Sequence, residues 1–577
     1  MEENQYPWLP LVRARFSPLT LVGIDRRSHL QILDSEYEAM RQALLEASRM
    51  RNQSAGPCRL PPELLTQIFA EAQSGWEPRR KTFETGSGDD EYEVFYSGWM
   101  VIPHVCSLWR QVALNDPMLW SRPEYDVLDI HPGYVPIIVS RCRGNPMRLF
   151  LNPEVAEIDE DAVKDDASYL AWTSSCVLSQ ACDLTVAGAQ DVVEEVIGNL
   201  PETMPHLRQL YVEISGPREP NPVLPQRAWG LAGVTKLELG NCSLPWDAPI
   251  YSSSMTSLTL FSYSEGPRHS YKDTQLLLSR LPALKELNFD NIVPSHDPGD
   301  DYGSTIMLPP LLRELSIDVT LPDLLVDGLD FMAGLRTSSP CSFYFTIVEN
   351  RDLFADDSPI SLDGVLRQLG FSEIPHATAQ KLVFNPESIE VTCLNPPSLG
   401  HAITKSLCIT RRFGVSLTAR PHIWYQLIKV LDRTNMRDVK ELTFSRNVID
   451  TLASGDMWKR LLLAVNVDRI DVAVGPSPAG SVDLGILCGS LCYAYSSPSA
   501  TSSPSRYPFP RLMLLALHVP KDHLNDAFHW ANALIDLVNT RAALGVPLDE
   551  IVITSDSSWE STEWDRLGTV IKLVIPK

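Results

Sequence analysis

The sequence predicts an α/β protein in which an N-terminal helical module precedes an irregular solenoid of short strands. Three observations carry this reading. Between residues 25 and 122 apolar residues recur at helical spacing, whereas from about residue 200 onward an LxxLxL-like phrase returns every 21 to 29 residues. Scale is the third: 577 residues, 44% hydrophobic and 21% charged, suffice for a sizeable core and more than one unit.

Residues 1–24 read as a tail. Over 25–54, Leu33, Tyr37, Met40 and Leu44 follow the i, i+4, i+7, i+11 pattern of one amphipathic helix, with Glu36, Glu38, Arg41 and Glu46 on its other faces. So short a pattern falls below the three or four heptads of a coiled coil, so the helix is expected to pack on the helical module behind it. Next, Pro61-Pro62-Glu63 reads as a helix start, because proline loses nothing in a first turn and an acid suits the positive end of the dipole. Leu64 and Ile68 fall on one face of that helix; Leu65, Phe69 and Ala72 fall on an adjacent one. One face can meet the core and the other a partner.

The segment from Gly75 to Trp99, with Arg79-Arg80-Lys81 and Asp89-Asp90-Glu91, is expected to be a solvated loop. Beyond it, Val101, Val105, Leu108 and Val112 share a helical face widened by Cys106, Trp109 and Ala113, and Asn115-Asp116-Pro117 supplies a stop. Trp120 then has a helix pair to pack on.

In order, Leu60-Pro61-Pro62-Glu63-Leu64-Leu65-Thr66-Gln67-Ile68-Phe69, Val105-Cys106-Ser107-Leu108-Trp109-Arg110-Gln111-Val112-Ala113-Leu114 and Pro117-Met118-Leu119-Trp120 resemble an F-box, covering residues 58–122 with an insertion at about 75–99. The layout is similar to that of a large fungal F-box family: the preceding helix, the basic hinge Arg49-Met50-Arg51, and Ile137-Ile138-Val139-Ser140-Arg141-Cys142-Arg143 before Pro146-Met147-Arg148-Leu149-Phe150-Leu151. Roughly residues 25 to 155 carry the resemblance. It implies docking on a Skp-type adaptor protein and, through it, on a cullin ubiquitin ligase. The implied adaptor contacts are Leu60, Pro61, Pro62, Glu63, Leu64, Ile68, Val105 and Trp109, with the division between contact and core left open.

Residues 123–200 read as a linker and the start of the repeats, and 201–577 as the repeat domain. Leu210, Leu237, Leu258, Leu287 and Leu315 anchor successive phrases 27, 21, 29 and 28 residues apart, the period of a leucine-rich repeat. Alternation points these leucines inward. Tyr211, Glu213, Lys236, Glu238, Thr259, Glu286, Asn288, Glu314 and Ser316 then face outward, and Lys236, Glu238 and Glu286 are the chosen substrate contacts. Thr274 to Pro282 reads as a helix capped at Thr274. Later phrases at Val439–Phe444, Leu512–Leu517 and Glu550–Thr554 come at irregular intervals, and the Ser/Pro-rich stretch at about 496–510 is expected to be a polar loop with two Ser-Pro steps.

The formal net charge of -23 argues against sequence-independent nucleic-acid binding and against an anionic membrane, and leaves basic partners open. No secretory signal or apolar run of membrane length is present, so the expected location is cytoplasmic or nuclear. Eleven scattered cysteines suggest neither a disulfide framework nor a zinc module. No phosphate loop, dinucleotide fingerprint, HExxH or GxSxG motif occurs, so no catalytic, cofactor or metal residue is assigned. The expected role is recruitment: an F-box subunit carrying a protein substrate to a Skp/cullin/F-box ligase. A scaffold acting outside ubiquitination and a hydrolase concealed in the C-terminal region are the alternatives.

Overall fold

A computed structural model describes residues 8–17, 25–54, 56–84, 91–156, 158, 163–216, 221–264, 268–295, 305–338, 341–348, 365, 380–385, 388–393, 403–410, 436–445, 448–449, 452, 458–461, 463–473, 482–492, 507–519, 527–555 and 562–574. Most of the Ser/Pro-rich stretch, and Asp89-Asp90, lie outside them. The protein is mixed α/β and divides into two compact units: Met1–Gly188 with Asn199–Leu207, and Ala189–Gly198 with Arg208–Lys577. Among the described residues no helix is long and apolar enough to cross a membrane.

The first unit opens with α1 (Trp8–Arg15) and the long α2 (Arg26–Gln53), whose start is fixed by the Asp25 carboxylate accepting from the N–H groups of Arg27 and Ser28. The helix forms where expected, but its apolar stripe is covered only in part: Leu33 and Met40 are half-buried. Tyr37 is 64% exposed and Leu44 69%, so the face expected to pack on the module behind it is left open at these two positions. Next come α3 (Pro62–Gly75), α4 (Ser107–Asn115), α5 (Pro117–Ser121) and α6 (Val135–Cys142).

Two corrections fall inside this module. The stretch read as a solvated loop holds an antiparallel hairpin of β1 (Arg79–Glu84) and β2 (Glu91–Tyr96). Its charge pattern disguised it, because Arg80 turns inward: its guanidinium is buried between the carboxylates of Glu93 and Asp166, and its backbone N–H donates to Asp129 Oδ1 at 3.0 Å. A buried arginine is tolerated when its charge is paired in this way. The apolar stripe Val101–Val112 is likewise not one helix. A 3-10 helix over Gly98–His104 contains Pro103, and Cys106 in an extended conformation starts α4 afresh. The unit closes with β3 (Met147–Leu151), α7 (Ala167–Trp172), α8 (Ser175–Leu178) and β4 (Ala181–Gly188).

The second unit begins with α9 (Gln190–Gly198) and β5 (Gln209–Ile214), then α10 (Gln226–Trp229), β6 (Lys236–Gly240), β7 (Ser257–Phe261), α11 (Tyr271–Ser279), β8 (Glu286–Asp290), β9 (Ile306–Met307), β10 (Glu314–Val319), α12 (Leu325–Gly334), β11 (Leu335–Arg336) and β12 (Ser342–Val348). Its later strands are β13 (Gln380–Asn385), β14 (Ser388–Cys393), β15 (Ile403–Thr410), β16 (Val439–Phe444), β17 (Arg469–Ala473), β18 (Leu514–Val519), β19 (Glu550–Ser555) and β20 (Lys572–Val574). They form one sheet in the order β5-β6-β7-β8-β10-β12-β15-β14-β13-β16-β17-β18-β19-β20, while β9 pairs with β11 apart from it. Neighbours run parallel except around β14, which is antiparallel to both β13 and β15. Strand β14 therefore interrupts an otherwise parallel ladder.

From β5 to β10 the pairing is in register, and Leu210, Leu237, Leu258, Leu287 and Leu315 are successive Cα partners, all buried. Val212, Leu239, Leu260, Phe289 and Ile317 form a second buried row two residues on. Just past the strand ends, Asn241 and Asn291 take left-handed conformations, with φ of 51° and 57°. Their side chains satisfy the turn backbone: Asn241 Nδ2 donates to the Ile214 carbonyl and its Oδ1 accepts from Tyr263 N–H, while Asn291 Oδ1 accepts from Thr320 and Leu321 N–H. Helix α11 starts a turn earlier than expected, since Ser270 and not Thr274 is its cap: Ser270 Oγ accepts from Asp273 N–H and donates to its carboxylate.

Candidate functional site

The residues singled out in the first unit lie on two helices and the segments before them. On α3, Leu65 and Phe69 are wholly buried, and Phe69 meets Trp109 of α4 edge-on, with ring centroids 5.4 Å apart. One residue earlier on each turn, Leu64 and Ile68 remain 45% and 46% exposed, and Val105, just before α4, is 58% exposed. Pro61, Pro62 and Glu63 are exposed and Leu60 is half-buried. Trp109 and Leu60 are both half-buried, Trp109 against Phe69, whereas Pro61, Pro62, Glu63, Leu64, Ile68 and Val105 are exposed.

Behind this surface the module is held by buried polar contacts. Gln73 Nε2 donates to the Leu119 carbonyl at 2.9 Å, Trp120 Nε1 to the Ala113 carbonyl at 2.8 Å, and Trp99 Nε1 to Tyr125 Oη at 2.9 Å. Trp120 also packs at a tilt against Trp99, with ring centroids 4.8 Å apart, and receives the Arg141 guanidinium over its ring at 4.2 Å.

In the second unit the outward positions of β5–β10 form three rows on one sheet face. Lys236, Ser257, Glu286 and Glu314 share the first; Tyr211, Glu238, Thr259, Asn288 and Ser316 the second; and Glu213, Gly240, Phe261, Asp290 and Asp318 the third. All nine outward residues named from the sequence are on this face. Missed were its aromatic and acidic additions. The Phe261 ring lies over Gly240, where a Cβ would meet it at 2.1 Å, and Tyr263 is 54% exposed beside it. The Tyr211 hydroxyl donates to Glu213, as does that of Tyr263 at 3.4 Å. Glycine before an aromatic strand end was the available signal.

Lys236 is the sole cation in these rows, against six carboxylates: Glu213, Glu238, Glu286, Glu314, Asp290 and Asp318. Burial, then Glu213, pushes the Glu238 carboxyl upward, and burial, then the register partner Asp318, raises Asp290 to about 6. Because an unfolded Asp titrates near 3.9, the folded state binds the Asp290 proton more tightly, and the stability linked to it is present at about pH 4 and lost as pH rises through about 6. Asp290→Asn is therefore expected to stabilise the protein at pH 8 by on the order of 1 to 2 kcal/mol, after allowance for partial exposure, and to be neutral at pH 4. Denaturation midpoints of both proteins at the two pH values check this.

A small cleft of about 40 Å³ also opens in this unit. Its floor includes Leu239, Leu260 and Tyr251, with Arg268 and His269 at its side. Arg268 pairs with Asp327 at 2.6 Å, and burial lowers His269, whose ring packs 4.0 Å from that of Trp246. Among the described residues no group of three or more His, Cys, Asp or Glu is placed to hold a metal ion. No protein-family model and no curated protein matches this chain.

Proposed function

We propose that the chain is the substrate-recruiting F-box subunit of a Skp/cullin/F-box ubiquitin ligase, with residues 58–122 docking on the Skp-type adaptor and a leucine-rich-repeat-like solenoid from about residue 201 holding a protein substrate. One observation carries the reading: α3 buries Leu65 and Phe69 in its own module while leaving Leu64 and Ile68, with nearby Val105, as apolar surface. A helix that spends leucine and isoleucine on water gains nothing in isolation; the same side chains in a desolvated interface are the kind that dominate binding. The register-matched leucine rows and the asparagine turns of β5–β10 support the repeat half of the reading.

The outer face of those strands is the proposed substrate surface, with Lys236, Glu238 and Glu286 among its contacts. Its acidic balance suits a basic partner segment, so capture should weaken as salt shortens the Debye length below about 8 Å. Reversing the charge of Lys236, Glu238 and Glu286 together is expected to abolish substrate capture and leave the adaptor bound. Capture that survives this change but fails when residues 496–510 are deleted would move the substrate site to the C-terminal region.

The test of the ligase reading is affinity purification of the full chain under proteasome inhibition. Adaptor, cullin and an accumulating ubiquitinated protein are the expected companions. Adaptor without cullin would favour a scaffold outside ubiquitination.

A further inference from the structure

We propose that Cys58 and Cys106 are a thiol–disulfide pair, oxidised to an intramolecular bond by low-molecular-weight disulfides such as oxidised glutathione. The two residues are 48 apart in sequence, yet their Sγ atoms stand 3.7 Å from one another in the first unit. A disulfide needs about 2.05 Å between sulfurs, so they must approach by roughly 1.7 Å, within reach of side-chain rotation and a small shift of the short 3-10 helix Gly56–Arg59 that carries Cys58. Both are half-buried, whereas Cys142, Cys242, Cys341 and Cys488 are fully buried, so a small reagent can reach this pair.

The surroundings distinguish the two sulfurs. Cys106 caps α4, and its Sγ accepts the Trp109 N–H at 3.4 Å. Burial, and then the neighbouring Cys106, push the Cys58 thiol upward. Cys106 is therefore the first nucleophile. Its thiolate attacks one sulfur of the oxidant, forming a mixed disulfide and releasing one glutathione thiol; Cys58, giving up its proton, then attacks Cys106 Sγ and releases the second. Two protein thiols are oxidised and one glutathione disulfide is reduced to two thiols.

Cys58 precedes Leu60 by two residues and Cys106 follows Val105, so the bond would tie together the segments proposed to contact the adaptor. That consequence rests on the proposed function, but the bond does not. The experiment treats the full-length protein with oxidised glutathione, blocks remaining thiols with iodoacetamide and maps the peptides by mass spectrometry. A cross-linked peptide joining Cys58 to Cys106, two hydrogens lighter and lost on reduction, with two fewer alkylated thiols, is expected. Cys106→Ser, which keeps a capping oxygen, should lose the cross-link while retaining the circular dichroism of the parent; should it misfold, Cys58→Ser serves the same purpose. Stable glutathione adducts without the cross-link, or a bond mapped to Cys176–Cys182 or Cys488–Cys492 instead, would overturn the inference. Adaptor binding assayed on the same samples keeps the readings apart: the bond without docking counts against the proposed function alone, and docking without the bond counts against the pair alone.

Discussion

A variant carrying both Leu64→Asp and Ile68→Asp is expected to stay folded and to lose capture of a Skp-type adaptor. Both side chains are close to half exposed on α3, so a carboxylate at either position meets water in the free protein and should change stability by no more than about 0.5 kcal/mol. In the complex each would be stripped of water opposite apolar groups. Central interface residues commonly contribute about 2 kcal/mol or more, and a buried unpaired charge adds to the loss, so affinity should fall by more than about a thousandfold. Co-purification read beside circular dichroism checks it. Undiminished adaptor recovery with a folded double variant would remove these residues from the interface.

In the second unit, Leu258→Ala and Leu287→Ala are each expected to lower stability by about 2 to 5 kcal/mol. Both leucines are buried in the register-matched row of β5–β10, with a leucine on the strand to either side, so the void left by truncation has no simple way to close. Lys236→Ala and Glu286→Ala, on the opposite face of the same strands, should stay within about 0.5 kcal/mol. Shifts in the urea unfolding transition measure all four. A Leu258→Ala protein as stable as its parent would mean that this row does not carry the core.

Much of this arrangement was legible because it is written in local periodicity. The 27-, 21-, 29- and 28-residue spacings placed five leucines that the structure sets side by side, since an in-register parallel ladder repeats whatever a single strand encodes. Helix α3 was equally plain, from its prolines and its two adjacent apolar faces. What escaped depends on distant partners. Arg80 reads as part of a solvated basic run until Glu93 and Asp166 are seen around it, and Arg541 looks like any helical surface cation although it is wholly buried, donating to the carbonyls of Leu491, Pro508 and Phe509. The break before α4 was hidden for a different reason: Val101, Val105 and Leu108 fit a helical stripe, but Pro103 and the extended Cys106 divide it. The antiparallel β14 left no mark at all in the repeat spacing.

The candidate surfaces were legible in proportion. Leu64 and Ile68 could be placed on faces from helical spacing, and Lys236, Glu238 and Glu286 from strand alternation, whereas Tyr263, drawn toward Glu213 across 50 residues, could not. Nor could the Cys58–Cys106 approach, which joins two segments through the packed module.

The most direct test of the central claim is a calorimetric titration of the purified full-length chain with a purified Skp-type adaptor. The expected result is a saturable one-to-one complex in the wild type that disappears in the Leu64→Asp, Ile68→Asp variant. A correctly folded wild-type protein that gives no binding heat, and no co-elution with the adaptor on gel filtration, would contradict the account.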